Sequence, residues 1–112
     1  MQTSGDIVQV DLGVPEGSEA GLRRPAVVVT AQRVLGQRPR VVQVVPLSSR
    51  LRGYASEVIV TADSSNGLDT DSAVQCQHIR AVATHRIAQP VGNVGPVALA
   101  QIRETVAVLL DL

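Results

Sequence analysis

The residues of this chain best equipped for chemistry fall in three short polar clusters. They are Gly17-Ser18-Glu19 with Arg23-Arg24-Pro25, Ser48-Ser49-Arg50 with Arg52, and Gln77-His78 with Arg80. Each sets an Arg beside a hydroxyl, an amide, a carboxylate or an imidazole. The planar guanidinium fork pairs bidentately with phosphate or carboxylate. Other chemistries are poorly served. There is no Ser-His-Asp order and no Gly-x-Ser-x-Gly elbow for acyl transfer. His78 and His85 stand seven apart with no Cys or carboxylate framework between them, so no metal site is expected. A Gly-rich strand-to-helix phosphate cradle is also missing, and no cofactor is expected.

The elements that must position these clusters are mostly strands. Ile7 to Leu12 alternates with period two and reads as a half-buried strand starting near Gly5. Residues 13–24 hold three Gly and a Pro and read as a long loop. Pro25 to Ala31 is a β-branched run suited to a strand buried on both faces, with Pro first, where its missing N–H does least harm. A third strand is expected over Arg40 to Val45, closed by Pro46, then a polar loop over 47–54 and a fourth strand over Glu57 to Thr61. Asp63-Ser64-Ser65-Asn66-Gly67 is strong turn chemistry. Ser72 to Cys76 and Ile79 to Val82 read as short strands interrupted near Gln77-His78. After Gly95-Pro96 the period changes. Leu99, Ile102, Val106, Leu109 and Leu110 share one face of a helix of about four turns, with Gln101, Arg103 and Glu104 towards water. The pattern predicts a mainly β (α+β) chain: a small, strongly curved antiparallel SH3-like barrel with a C-terminal helix. Loops of such a meander can converge on one rim, which would place Arg, hydroxyl and histidine in one pocket.

Composition narrows the class. At 112 residues, 45% hydrophobic and 18% charged, the chain fits a single globular domain and is too apolar for bulk disorder. The basic and acidic counts are both 10, so net charge announces no polyanion ligand; yet every basic residue is Arg. The single Cys76 has no partner for a disulfide or a zinc pair, which fits a reducing cytoplasm. No apolar run approaches the roughly 20 residues of a membrane helix, and the N-terminus lacks a signal-peptide pattern. Tyr54 is the lone aromatic, which excludes a platform of stacked bases. Any RNA would be bound by backbone groups, Arg and small polar side chains.

Several spaced motifs, in order, resemble the MazF/PemK toxin endoribonucleases. Gly5-Asp6-Ile7-Val8-Gln9-Val10-Asp11-Leu12, Gly17-Ser18-Glu19 and Arg23-Arg24-Pro25-Ala26-Val27-Val28-Val29 are similar to that family's N-terminal signature. Val45-Pro46-Leu47-Ser48-Ser49-Arg50 resembles its hydroxyl-bearing strand end. Gly67 to Val74 resembles its turn into the next strand, and His78-Ile79-Arg80-Ala81-Val82 its Gln-Ile-Arg segment. The resemblance spans essentially the whole chain.

That resemblance implies a cytoplasmic homodimer that cuts single-stranded RNA at short sequences without a metal and is held by an antitoxin with a disordered C-terminal tail. The RNA's own 2′-hydroxyl would attack, leaving a 2′,3′-cyclic phosphate and a 5′-hydroxyl end. Arg24, the Arg before Pro, matches the catalytic arginine, and Ser48 the residue that holds the scissile phosphate. Glu19 is expected to orient Arg24 or to accept the 2′-hydroxyl proton. Ser18, Arg23, Ser49, Arg50, Arg52, Gln77, His78 and Arg80 are the expected RNA contacts. Two positions depart from the family pattern. His78 replaces the usual Gln, exchanging a base-reading amide for a group that titrates near neutral pH. Gln9 replaces an aromatic or apolar residue and is expected to affect only the strand's outer face. The alternative reading is a binding-only barrel, a degenerate toxin or one resembling the gyrase-inhibiting CcdB toxins of the same fold. Those depend on an aromatic C-terminal tail, whereas this chain ends Val108-Leu109-Leu110-Asp111-Leu112.

Overall fold

Period-two patterning in the first half of the chain gives three long neighbouring strands: β1 (Asp6–Asp11), β2 (Arg23–Val28) and β3 (Val41–Ser48). These are antiparallel in the order β1–β2–β3, with Ile7 opposite Val27 and Val27 opposite Val45. A computed structural model describes residues 2–112. Beyond this centre, β4 (Glu57–Val60) and β5 (Ser72–Gln75) extend the sheet from the end of β3, while β6 (Arg80–Ala83) pairs with its start. The last strand, β7 (Ile87–Asn93), lies on the outer side of β1. The sheet thus runs β4-β5-β3-β2-β1-β7, with β6 beside β3. Two helices, α1 (Gln32–Leu35) and α2 (Gly95–Leu110), complete the chain.

The central strands bury both faces, which explains their nearly continuous Val runs. Val8, Val10, Val28, Val42 and Val44 point into one core, shared with Leu35 of α1 and Val82 of β6. The alternate residues Ile7, Val27, Val45 and Leu47 point into a second, closed by Val74, Cys76 and Ile102 of α2. Strand β3 serves both half-sheets: Val41 to Val44 pair with β6, and Leu47 and Ser48 with β5. Pro46 falls in the gap between them. It therefore does not close the strand as its sequence suggested, because neither neighbour requires the N–H that proline lacks.

Three further expectations are corrected. Strand β2 starts at Arg23 and ends at Val28, two residues ahead of its expected start and three short of its expected end. Strand β7 was hidden by Pro90 and Gly92; as an edge strand with two register shifts against β1, it tolerates both. Helix α2 does present Leu99, Ile102 and Val106 inward and Gln101, Arg103 and Glu104 outward. Leu109 and Leu110, however, stay 44% and 54% exposed, because the sheet ends before the last turn of the helix. Among the described residues no helix is long and apolar enough to cross a membrane.

Candidate active site

Residues 13–22 form a closed excursion between β1 and β2. Its base is tied by Leu12 N–H to Leu22 O at 2.9 Å and Leu22 N–H to Gly13 O at 2.6 Å. Gly21 packs so closely on Pro15 that a Cβ there would lie 2.5 Å from the proline ring. The exposed loop therefore delivers β2 at a fixed angle, with Arg24 at its second residue. Arg24 is half-buried. Its Nε donates to Gly21 O at 3.1 Å and its Nη1 to Gln75 Oε1 at 3.4 Å. Both acceptors are neutral, so neither compensates the guanidinium charge.

Across from it, β3 ends in Ser48. Its Oγ accepts the Arg50 N–H at 3.1 Å, a strand-end turn that occupies the oxygen and leaves the hydroxyl proton available to donate. Arg23, Arg24, Ser48 and Ser49 line one cleft of about 490 Å³, together with Gln9, Asp69 and Thr70. The Asp69–Thr70 wall is anchored by the preceding turn, where buried Asn66 accepts from the Asp63 and Leu68 N–H groups at 3.0 Å each and donates to Thr61 O at 2.8 Å.

The third cluster lies elsewhere. Glu19, Gln77, His78 and Arg80 line a second cleft of about 300 Å³. Arg80 Nη1 donates to Leu12 O at 3.2 Å, bracing the base of the 13–22 excursion. Gln77 and His78 sit in the 3-10 turn Cys76–His78, which follows β5 directly. Arg52 stacks its guanidinium 5.7 Å above the centre of the Tyr54 ring. Arg52, Arg50 and Ser18 are exposed and line neither cleft.

Comparison with known proteins agrees with this architecture. Residues 3–110 match the family described as PemK-like, MazF-like toxin of type II toxin-antitoxin system. The chain belongs to this toxin family. A curated relative, Endoribonuclease MazF9 of Mycobacterium tuberculosis (strain ATCC 25618 / H37Rv), is 39% identical over 117 residues, covering 100% of this chain and 98% of the relative. Among solved structures, MazF from Deinococcus radiodurans superposes with a TM-score of 0.80 at 27% identity, over 99% of this chain and 97% of that one. A MazE–MazF structure from the same organism gives 0.75 at 27% identity, over 99% and 96%.

Within this MazF-like toxin the three polar clusters do not share one pocket. The β5-to-β6 turn carries Gln77 and His78 past the end of the sheet, so they open beside Glu19 rather than beside Ser48. Glu19 does not orient Arg24 either. Its carboxylate accepts the Glu16 N–H of its own loop at 3.1 Å, and Gly21 and Gln75 hold the guanidinium instead. Gln9, expected only on an outer face, contributes to the first cleft because β1 runs antiparallel beside Pro25. Sequence reasoning missed Gln75, which accepts from Arg24, and Glu57, which accepts from the Gln75 and Gln77 amides. Both sit in short strands where a polar residue looks like ordinary alternation, and only tertiary pairing shows otherwise. Buried Cys76 is held among Val74, Ile102 and their carbonyls, and burial pushes its thiol up from 9.0 to about 11, with a smaller contribution from the nearby Glu57 charge. It is an inert core residue rather than a nucleophile.

Proposed function

We propose that this MazF-family endoribonuclease cuts single-stranded RNA at a short sequence, without a metal, in the cleft between Arg24 and Ser48. The observation that carries the reading is the state of Arg24. It is half-buried, fixed by two neutral acceptors, and it lines the same cleft as the Ser48 and Ser49 hydroxyls. A guanidinium so held can clamp two oxygens of a phosphodiester and stabilise the added charge of a pentavalent phosphorus, the electrostatic term expected to dominate. The substrate supplies the nucleophile. Its 2′-oxygen bonds to phosphorus as the hydroxyl loses its proton, the bond to the 5′-oxygen breaks and that oxygen takes a proton from solvent, and the products are a 2′,3′-cyclic phosphate and a 5′-hydroxyl. Ser48 donates a hydrogen bond to a non-bridging oxygen and keeps its proton. Arg24 acts by charge and not by proton transfer, since a guanidinium scarcely deprotonates. Asp69, the carboxylate that lines this cleft, takes the 2′-hydroxyl proton; Glu19, the acceptor expected from the sequence, lines the second cleft and is turned onto its own loop.

The second cleft receives a neighbouring nucleotide. Gln77 and His78 meet base edges there, Arg80 meets phosphate, and Ser18, Arg23, Arg50 and Arg52 follow the strand on either side. Among the described residues no group of three or more His, Cys, Asp or Glu is placed to hold a metal ion. We further propose that the toxin works in the cytoplasm as a homodimer. In this reading the disordered C-terminal tail of its antitoxin folds over the Arg24 cleft and is removed by proteolysis. The family match supports this reading over the binding-only barrel.

The test is a mixed single-stranded RNA pool incubated with the protein in excess chelator, with the 5′-hydroxyl ends sequenced. Cuts at one short motif, lost in Arg24→Ala and reduced in Ser48→Ala, are expected. Intact RNA in the presence of a folded dimer would reject the ribonuclease reading.

A further inference from the structure

One carboxylate joins the two clefts. Glu57, the first residue of β4, presents Oε2 to two side-chain amides at once: Gln77 Nε2 at 2.8 Å and Gln75 Nε2 at 3.4 Å. Because an ionised carboxylate only accepts, both amides must turn their NH2 ends towards it. Their carbonyl ends are thereby aimed outward. Gln75 Oε1 meets Arg24 Nη1 in the first cleft, and Gln77 Oε1 accepts the Ser56 hydroxyl at 3.0 Å beside the second.

This arrangement does little for stability. Among the described residues Glu57 Oε1 is buried with no hydrogen-bond partner. A half-satisfied carboxylate loses solvation that an apolar residue of similar size would not lose. What the group does contribute is direction. Reversing either amide would point its carbonyl at the carboxylate, and reversing Gln75 would also point an NH2 at the Arg24 cation.

We propose that Glu57 is a positioning residue that fixes the amides of Gln75 and Gln77 together, setting the acceptor that holds Arg24 and the donor–acceptor face that Gln77 offers in the second cleft. The proposal rests on the RNA-cleavage reading for its consequence, though not for its geometry. The Gln75 leg, with two bonds at 3.4 Å, is the weaker, and the Gln77 leg the stronger. Losing Glu57 should therefore alter the choice of cut site at least as much as the rate.

The experiment compares Glu57→Leu, which removes the acceptor, with Glu57→Gln, which keeps the shape and an acceptor oxygen but not the charge. In Glu57→Leu, kcat is expected to fall about tenfold with KM changed by less than about twofold, and the cut-site preference to broaden; Glu57→Gln restores most of both. Side-chain amide signals in 15N spectra report on the geometry without any RNA. Those of Gln75 and Gln77 should be well dispersed in the wild-type protein and collapse towards free-amide positions in Glu57→Leu. Unmoved amide signals in a folded Glu57→Leu would overturn the proposal, as would moved signals with unaltered kcat and cut-site preference. If the wild-type protein leaves RNA intact while the amides respond as described, the geometry stands and the cleavage reading fails. Should Glu57→Leu not fold, Glu57→Ala, which removes the same acceptor, is read in its place: unmoved Gln77 amide signals in a folded Glu57→Ala overturn the proposal.

Discussion

At the scale of single residues, the candidate chemistry depends on how a planar cation is held. Arg24 touches Gly21 and Gln75 through two different nitrogens, which orients the plane of the fork and not merely the position of a charge. Arg24→Lys should therefore rescue little. Both Arg24→Lys and Arg24→Ala are expected to lower kcat by about 100-fold or more in single-turnover cleavage assays, the loss typical when a preorganised charge-stabilising group is removed. The proton acceptor can be separated from its competitor in the same way. Asp69→Asn should lower kcat by about 100-fold, whereas Glu19→Gln, which alters a carboxylate outside the Arg24 cleft, should leave kcat within about twofold; the reverse result would move the role to Glu19. Cys76 gives a prediction about stability. Its folded-state value of about 11 lies above the 9.0 of a free thiol, so above pH 9 the unfolded chain releases a proton that the native chain retains. Stability is thus expected to fall between pH 9 and pH 11, at up to about 1.4 kcal/mol per pH unit. Urea titrations across that window should show the slope in the wild-type protein and its loss in Cys76→Ala. The same thiol should resist alkylation at pH 8 until the protein unfolds.

At the scale of elements, the Asn66 turn and β7 meet backbone to backbone. Gly92 lies so close to the Asn66 carbonyl that any Cβ would overlap it, and Gly67 meets Val91 in the same way at φ +68°. Gly92→Ala should cost about 2–3 kcal/mol in urea unfolding, a price of overpacking against backbone that cannot give way. Gly36→Ala is the control. That glycine caps α1 with ordinary helical φ of −61°, and its nearest neighbour is 3.6 Å away, so alanine should stabilise by about 0.4–1 kcal/mol. This contrast also shows what a sequence reveals and what it hides. Alternation found β1 and β4, β-branched runs bounded by turn residues found β2, β3, β5 and β6 within a few residues, and the switch after Gly95 found α2. Pro90 and Gly92 concealed β7 because edge position and tolerated bulges are properties of the sheet and not of the strand. The site was legible in part for a similar reason. Arg24 and Ser48 announce themselves by their motifs, and they do line one cleft. The separation of Gln77 and His78 from that cleft, and the link through Glu57 and Gln75, arise from which strand ends lie together, which no local pattern records.

At the scale of the whole molecule, net charge is zero, yet the first cleft sets Arg23 and Arg24 against the single carboxylate of Asp69, and Arg80 shares the second with Glu19. Cleavage of a longer RNA should therefore depend on salt despite the neutral total. With three to five phosphate contacts from Arg23, Arg24 and Arg80 together with the exposed Arg50 and Arg52, log kcat/KM should fall with log salt at a slope of about −2 to −3.5. A slope near zero would remove phosphate binding from the account. The exposed Val108, Leu109, Leu110 and Leu112 at the end of α2 leave apolar surface of the kind a second protomer covers, and light scattering should give twice the 11.8 kDa chain mass. The pairing of β1 with β7 has a consequence for how the protein is made. The walls of the Arg24 cleft include Gln9 and Val91, and Ile7 shares its core with Ile102 of α2. A ribosome must thus release nearly the entire chain before the first strand is covered or the cleft has both its sides. A growing or prematurely ended polypeptide carries Arg24 and Ser48 without the cleft they line in the folded chain, so on the proposed reading a nascent toxin is disarmed by geometry throughout its own synthesis.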